Sequence, residues 1–471
     1  MIMSLSVAFV TLLATSLVSA GLTVDPTDTE LLSRTIAGIA RKLSTYYVPN
    51  YRGAVPDRDD PTVKGRQWFE SGIMWGAYTE HAKFSRDGQF LPIVTNALSN
   101  GSISNLDVGN VEVGSFLGAD QRLSATMLGR WNDDILWYGL AAMTCSDIFG
   151  KEAMMPRSKT KTYFAVALKT YEEVMQQNDP LCGGGIFWSR DRKTPIAHRR
   201  EFKSVITNVQ TMILASKLTI TTGDPKYVEV ADELYRWLQT SRIITPELHV
   251  WDGVLATKES CRRDAREFSY NTGMLLGGLA YMYKATNKDE YMNDIKKLLP
   301  TAIEIYSENG IIRDLCEDSD GVCTVGTSIS RTPQVNQVPY KSTFIRGLMY
   351  VYTITTDQDM KAAIKRLFDA SWAGMMKTCN REYSCSAIWT DGEPESTGNF
   401  HHQIVALELA NAMASIYINP TAGEEGAPAF VNPVTDFKPP STKGSATTLS
   451  VHSMLVATVV LCSVFATLGF F

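Results

Sequence analysis

The chain has 471 residues, 44% of them hydrophobic and 20% charged, with 9 Trp, 19 Tyr and 18 Phe. That supplies a sizeable core and excludes a disordered, collagen-like or disulfide-dense miniprotein class. Lys and Arg number 45 against 50 Asp and Glu, a formal charge of -5, and no basic stripe of the kind that phosphate neutralisation needs stands out, so nucleic acid is excluded as a partner.

In chain order, residues 7–17 form an apolar run that leads into Val18-Ser19-Ala20. Small residues after such a run are a cleavage signature, and residues 1–20 are expected to be a secretory signal peptide despite an n-region without Lys or Arg. A helical stripe follows at Leu32, Ile36, Ile39, Ala40 and Leu43. Comparable stripes occur at Phe164-Leu168-Tyr171-Met175, Ala231-Leu234-Tyr235-Leu238 and Ile364-Leu367-Phe368, whereas strand alternation is scarce. Three polar turns, Ser85-Arg86-Asp87-Gly88, Thr222-Gly223-Asp224-Pro225 and Thr286-Asn287-Lys288-Asp289, join helical runs into hairpins. Gly88 and Gly223 suit the left-handed position that ends a helix, and Pro225 suits the first turn of the next. Between the hairpins lie long loops at 51–67, 102–130, 180–202, 247–267, 311–340 and 379–400, and loops of that length usually carry function. The pattern predicts an all-α domain over 21–418. Irregular loop lengths and the lack of a strict repeat favour a closed toroid of about a dozen helices over a linear solenoid.

From about Asn419 the composition turns to Pro, Gly and Thr, so 419–444 is expected to be a flexible stalk. Small residues, a short Thr/Ser spacer and an uncharged run from Met454 to Phe471 then match a GPI-attachment signal better than a retained span, with Gly444 as the attachment site, Ser441 and Ser445 as competitors for it, and 445–471 as propeptide. The expected location is secreted, at the outer face of the plasma membrane and in the cell wall. Without the tail, Cys462 is lost and an odd number of cysteines remains. Cys316 with Cys323 and Cys379 with Cys385 each bracket a short polar loop, Cys182 and Cys261 flank other loops, and Cys145 lies in an apolar helix; three disulfides and a buried Cys145 are expected. No cysteine or histidine spacing has the form of a metal site, and no cofactor is expected. Asn100-Gly101-Ser102 is the one glycosylation acceptor.

The chemistry concentrates in Arg130-Trp131-Asn132-Asp133-Asp134-Ile135-Leu136-Trp137-Tyr138. Paired acids after a loop and at the start of an apolar helix can be plain helix caps. Their aromatic setting suggests instead a sugar site, because sugars stack on rings and glycosidases need two carboxyls. Two adjacent anions cannot ionise independently, which separates an acid from a nucleophile. Adjacent residues reach the retaining separation of about 5–5.5 Å more readily than the wider inverting gap, so retention is predicted.

This stretch resembles the acidic motif of glycoside hydrolase family 76, the endo-α-1,6-mannanases, and particularly their fungal GPI-anchored cell-wall branch of the defective-in-filamentous-growth type. Further similar motifs are Trp68-Phe69-Glu70-Ser71-Gly72, Cys182-Gly183-Gly184-Gly185-Ile186-Phe187-Trp188, Lys203-Ser204-Val205-Ile206-Thr207-Asn208, Trp251-Asp252-Gly253, Phe268-Ser269-Tyr270-Asn271, Tyr340-Lys341-Ser342 and Gln403-Ile404-Val405. The resemblance implies an (α/α)6 toroid with Asp133 as nucleophile, Asp134 as acid/base, and Glu70, Trp131, Asn208, Asp252, Tyr270 and Asn271 lining a glycan cleft. Plain structural uses compete: Glu70 as a surface carboxylate, Asn208 and Asn271 as caps, Tyr270 as a core ring, Asp252 as a turn residue. Ser204 stands where the family would have Asn, and Asn399-Phe400-His401-His402 replaces a Gly-x-Gly-like approach to Gln403. Adjacent histidines on a helix diverge, so His401-His402 does not imply a metal. The implied activity is retaining hydrolysis or transglycosylation of α-1,6-mannosides, including the mannan core of GPI anchors, with wall glucan as a possible acceptor and a GPI lipid as the tie to the membrane. The alternatives are an inactive mannan-binding wall protein on the same toroid, and an (α/α)6 enzyme acting on another sugar.

Overall fold

Two kinds of helix alternate along the chain. The first kind has one apolar stripe: α1 Thr29–Ser44, α3 Leu91–Gly101, α5 Tyr163–Met175, α8 Lys226–Thr240, α10 Asp289–Ile305 and α12 Gln358–Thr378. The second kind is buried around nearly its whole circumference: α2 Trp68–Ser85, α4 Asn132–Phe149, α7 Val205–Thr222, α9 Ser269–Thr286, α11 Tyr340–Ile354 and α13 Phe400–Tyr417. A helix with one stripe needs one neighbour, but a helix that is apolar all round must be enclosed. Accordingly α2, α4, α7, α9, α11 and α13 pack in that order, α13 returns to α2, and the striped helices cover the outside. This is the expected (α/α)6 toroid. A short helix, α6 Ala197–Glu201, completes the set of thirteen among the described residues.

The computed structural model describes residues 21–48, 53–55, 68–102, 116, 131–190, 192–193, 195–318, 338–390 and 398–420. The expected signal peptide, the stalk and tail from 421 onward with Gly444, and the disulfide partner Cys323 lie outside them, as does the side chain of Cys316.

Because an outer helix separates each inner pair, the inner helices run parallel, and N-terminal residues meet N-terminal residues. Glu70 of α2 reaches His401 of α13, and Tyr270 of α9 stacks on Tyr340 of α11. Midway along the axis Arg346 binds Glu408 and the Ile73 carbonyl, tying α11 to α13 and α2. At the far ends Glu80, Thr144, Lys217 and Tyr350 form a buried polar network across four helices. The α9–α11 seam is backbone to backbone: a Cβ on Gly347 would lie 1.8 Å from the Gly273 carbonyl oxygen, so glycine is required there.

The three polar turns join α2 to α3, α7 to α8 and α9 to α10 as predicted. Gly223 is left-handed, but after α2 that conformation is taken by Arg86 rather than Gly88. The segment 247–267, expected as an irregular loop, instead holds a hairpin of β2 Trp251–Ala256 and β3 Cys261–Glu267, with β1 Phe202–Ser204 on the other side of β2. The polar run Cys-Arg-Arg-Asp-Ala-Arg-Glu of β3 lies largely exposed at the sheet edge, so no apolar alternation marks it. Its pairing to β2 makes it a strand. A further small pair, β4 Ser307–Glu308 and β5 Ile311–Ile312, follows α10. The sheet stands at the N-terminal mouth, because β1 runs directly into α7 and β3 ends one residue before α9.

Disulfides join Cys182 to Cys261 and Cys379 to Cys385, and Cys145 is buried and free, as expected. Asn419, assigned to the stalk, is buried and exchanges bonds with Arg86 and the Lys83 carbonyl, so the packed domain extends to it.

Candidate active site

Trp131 is the extended residue before α4, and its side chain makes no cap bond, which leaves the first turn of α4 to bind its own acids. Asn132 fastens this entrance to the loop opposite. Its backbone N–H donates to the Trp188 carbonyl (2.9 Å), its Nδ2 to the Phe187 carbonyl (2.7 Å), and its Oδ1 accepts from Arg190 Nη1 (2.9 Å). Trp131 and Trp188 consequently stack with centroids 4.0 Å apart and 13° between planes, with the Arg199 guanidinium 5.5 Å from the Trp131 ring.

The loop that presents Trp188 is shaped by Cys182-Gly183-Gly184-Gly185, four successive residues with positive φ. A Cβ at Gly185 would also strike the Trp237 ring at 2.7 Å, which explains the glycine run. Lys203, fully buried, donates from Nζ to the carbonyls of Asp179, Leu181 and Gly184 at 2.6–2.8 Å and so holds the loop from beneath. Asn208 closes the same loop from α7, accepting from the Ile186 N–H and donating to the carbonyls of Ile186 and Ser204. Its amide is fully buried and engaged in these bonds. Asn208 therefore shapes the loop rather than lining a cleft.

Asp133 is half-buried and Asp134 buried, in the first turn of α4. Burial raises the Asp133 carboxyl to about 7; bonds from the helix backbone and the Trp188 indole act in the opposite direction, and the nearby Asp252 adds to the rise. One Asp133 oxygen, Oδ1, is buried with no hydrogen-bond partner among the described residues. Gln210 of α7 donates to the Asp133 carbonyl (3.5 Å) and steadies the turn.

Asp252 of β2 lies near enough to Asp133 to act on it electrostatically. Its Oδ1 accepts from Asn271 Nδ2 (3.0 Å) and Tyr270 OH (3.4 Å), and its Oδ2 lies 3.4 Å from Arg266 Nη2. Burial pushes Asp252 up to about 6 against the pull of Arg266 and of these bonds. Tyr270 stacks on Tyr340 at 4.1 Å, and Phe268 packs against both. Burial and the carboxylates of Asp252 and Asp133 raise both tyrosines well above their ordinary value, which keeps the hydroxyls protonated. Glu70 is not on the surface. It is 2% exposed at the start of α2, and Nε2 of His401 lies 2.9 Å from its Oε1, so the divergent Phe400-His401 segment supplies a partner for Glu70.

The structure thus gathers Glu70, Asp133, Asp134, Asp252, Tyr270 and Asn271 at one mouth, beside the Trp131–Trp188 stack. Trp188, Tyr340, Arg266 and His401 were not singled out as site residues from the sequence. Trp188 and Tyr340 lie inside quoted motifs, but only the fold reveals that they face the acids. Asn100 is half-buried in the last turn of α3, away from these groups in the fold.

The model of glycosyl hydrolase family 76 matches residues 32–421. Similar curated proteins include mannan endo-1,6-alpha-mannosidase DCW1 of Candida albicans, 24% identical over 79% of this chain and 78% of that protein, and DFG5 of Saccharomyces cerevisiae, 24% identical over 73% and 69%. Among solved structures, Dfg5 from Chaetomium thermophilum in complex with glucosamine superposes with a TM-score of 0.70 at 20% identity, covering 83% of this chain and 92% of that one. The GH76A alpha-1,6-mannanase of a Salegentibacter species gives 0.63 at 17% identity, covering 81% and 99%, and its inactive variant with two substituted aspartates, in complex with alpha-1,6-mannotriose, also gives 0.63, at 15% identity over the same shares. With the toroid, the paired acids and a family match over most of its length, the chain belongs to glycosyl hydrolase family 76.

Proposed function

We propose that the protein is a retaining mannan endo-1,6-alpha-mannosidase of the fungal cell wall that can also transfer the cleaved chain to another glycan. One observation carries the assignment: the buried, unpartnered Oδ1 of Asp133, adjacent to Asp134 at a helix entrance flanked by stacked aromatic rings. An unsatisfied buried carboxylate oxygen is costly unless a ligand completes it. The curated relatives bear the name of this activity, and the related mannanase lost its activity in a doubly aspartate-substituted form.

In this mechanism a mannose settles on the Trp131–Trp188 side with its anomeric carbon at Asp133. Asp134 donates its proton to the glycosidic oxygen as Asp133 attacks, and a mannosyl-enzyme forms as the leaving sugar departs. Asp134, now a base, removes a proton from water or from a sugar hydroxyl, whose oxygen attacks the anomeric carbon and frees Asp133. Glu70, Asp252, Tyr270 and Asn271 hold ring hydroxyls. The substrate is α-mannan or the mannan core of a GPI anchor, wall glucan is the alternative acceptor, and a signal peptide at 1–20 with lipid attachment at Gly444 places the mature protein outside the plasma membrane.

The test is hydrolysis of α-1,6-mannotetraose by wild type, D133N and D134N, with the first product anomer followed by NMR. The α-anomer should form first, D134N should lower kcat by about 10²–10⁴, and D133N should form no mannosyl-enzyme. Binding without turnover by the wild-type protein would refute the enzyme reading in favour of a mannan-binding module.

A further inference from the structure

The β2–β3 ladder slips beside Asp252: Trp251 pairs with Glu267, but Gly253 pairs with Asp264. One residue of β2, Asp252, therefore stands opposite two of β3, Ala265 and Arg266. Such bulges re-aim side chains and recur next to active sites. Here the slip turns Arg266 toward Asp252, with Nη2 3.4 Å from Oδ2.

A second acid fixes the guanidinium in that direction. Asp264 accepts from Arg266 Nε at 2.9 Å and from Nη2 at 2.7 Å, a two-point grip, and its Oδ1 also accepts from the Arg266 N–H. Asp264 in turn lies 3.9 Å from His198 of α6, which stacks on Phe202 of β1. Although burial acts to raise it, the bonds from His198 and Arg266 hold the Asp264 carboxyl well below its ordinary value, so the clamp is an anion throughout the working range.

We propose that Arg266 is a positioning residue of the reaction, aimed by the bulge and gripped by Asp264, that keeps Asp252 charged and through Asp252 sets the electrostatic field in which Asp133 works. This rests on the assignment of Asp133 as the attacking group. The ionisable groups facing Asp252 are Arg266 and Asp264 on β3, Tyr270 on α9, Tyr340 on α11 and Asp133 on α4, with Glu70 on α2 beyond Tyr340. Of these, only Arg266 is a cation. Without it Asp252 holds its proton to higher pH and no longer opposes the loss of the Asp133 proton.

The sign of the effect follows. In R266M the acidic limb of kcat/KM against pH should move to lower pH by about one unit, and R266K, which keeps the charge, should restore most of the wild-type limb. D252N should show the same downward displacement, and R266M added to D252N should shift the limb no further. All five profiles, wild type included, are measured on α-1,6-mannotetraose with the full mature protein. An unmoved limb in R266M, or an equal further shift in the D252N background, would overturn the proposal, because a merely structural arginine would lower the rate without changing the pH at which it falls. If R266M does not fold, R266Q removes the same charge while keeping a polar side chain, and must displace the limb in the same direction. A wild-type protein without turnover, or a fully active D133N, would instead remove the functional reading beneath.

Discussion

Replacing Gly347 by alanine tests the geometry on which the whole mouth depends. The added Cβ would lie 1.8 Å from the Gly273 carbonyl oxygen and 2.3 Å from its carbonyl carbon, where real Cβ atoms stay beyond 3.0 Å. The neighbour is backbone inside a helix and cannot swing aside, so α9 and α11 must separate by about 1.2 Å. Overpacking of this kind typically costs about 1–3 kcal/mol, and a rigid obstacle places G347A at the upper end. The same opening displaces Tyr270 and Asn271 on one helix from Tyr340 on the other, and a misplacement near 1 Å can lower a rate about 10²-fold. Thermal unfolding and kcat/KM on α-1,6-mannotetraose would be measured side by side with G88A, whose new Cβ meets nothing nearer than 3.5 Å and whose φ is ordinary. G347A should lose several degrees of Tm and most of its activity, while G88A should be unchanged or slightly stabilised. A G347A protein with wild-type Tm would refute the backbone seam.

Three further outcomes are expected. Because burial holds the Asp133 proton up to about 7 and an attacking carboxylate must be ionised, kcat/KM should fall as pH drops through that value; a rate independent of pH from 5 to 8 would exclude Asp133 as the nucleophile. The same elevated value has a stability consequence: unfolded Asp ionises near 3.8, so the protonated native state gains stability below that point and the gain is lost as pH rises through about 7. D133N should therefore exceed wild type in stability by on the order of 2 kcal/mol at pH 8, with the gap closing near pH 4 in urea titrations. K203M would leave three loop carbonyls without their donor, costing about 3 kcal/mol, and should weaken substrate turnover through Trp188 while leaving the far end of the toroid intact by hydrogen exchange.

The legible part of the fold was its outer layer. All four apolar stripes found in the sequence belong to outer helices, α1, α5, α8 and α12, because only a helix with a wet side leaves a period to read. The inner helices are buried on nearly every face, with charged residues such as Glu80, Lys217, Arg346 and Glu408 set among their apolar ones, and appear as unpatterned runs, so their order around the ring emerges only from packing. In the site, Asp133 and Asp134 stood out because two acids at an apolar helix entrance are unusual, and the family resemblance added Glu70, Asp252, Tyr270 and Asn271. What it could not distinguish was a residue that touches a ligand from one that shapes the wall. Asn208 has the same chemistry as Asn271, yet its amide binds the 186 loop while that of Asn271 binds Asp252. The pairing of His401 with Glu70 spans 331 positions, and that of Arg266 with Asp252 depends on a one-residue slip in a strand that has no strand pattern.

Magnitudes decide what the parallel inner helices contribute to the chemistry. Each N-terminus favours a carboxylate by typically 0.3–1 kcal/mol and by about 2 at best, and Asp133 also receives the Trp188 indole and the N–H groups of its own turn. Its proton nevertheless stays until about 7 rather than 3.8, a net opposing effect of a few kcal/mol. Desolvation, with the negative charge of Asp252 added to it, outweighs every donor the protein supplies. The missing stabilisation is positive charge at the unpartnered Oδ1, and in glycoside cleavage that charge arises only as the anomeric centre becomes oxocarbenium-like. A carboxylate that the resting fold disfavours gains more from that cation than one already satisfied by solvent, so under the proposed role of Asp133 as nucleophile the burial that makes it difficult to ionise would also make its charge selective for the transition state.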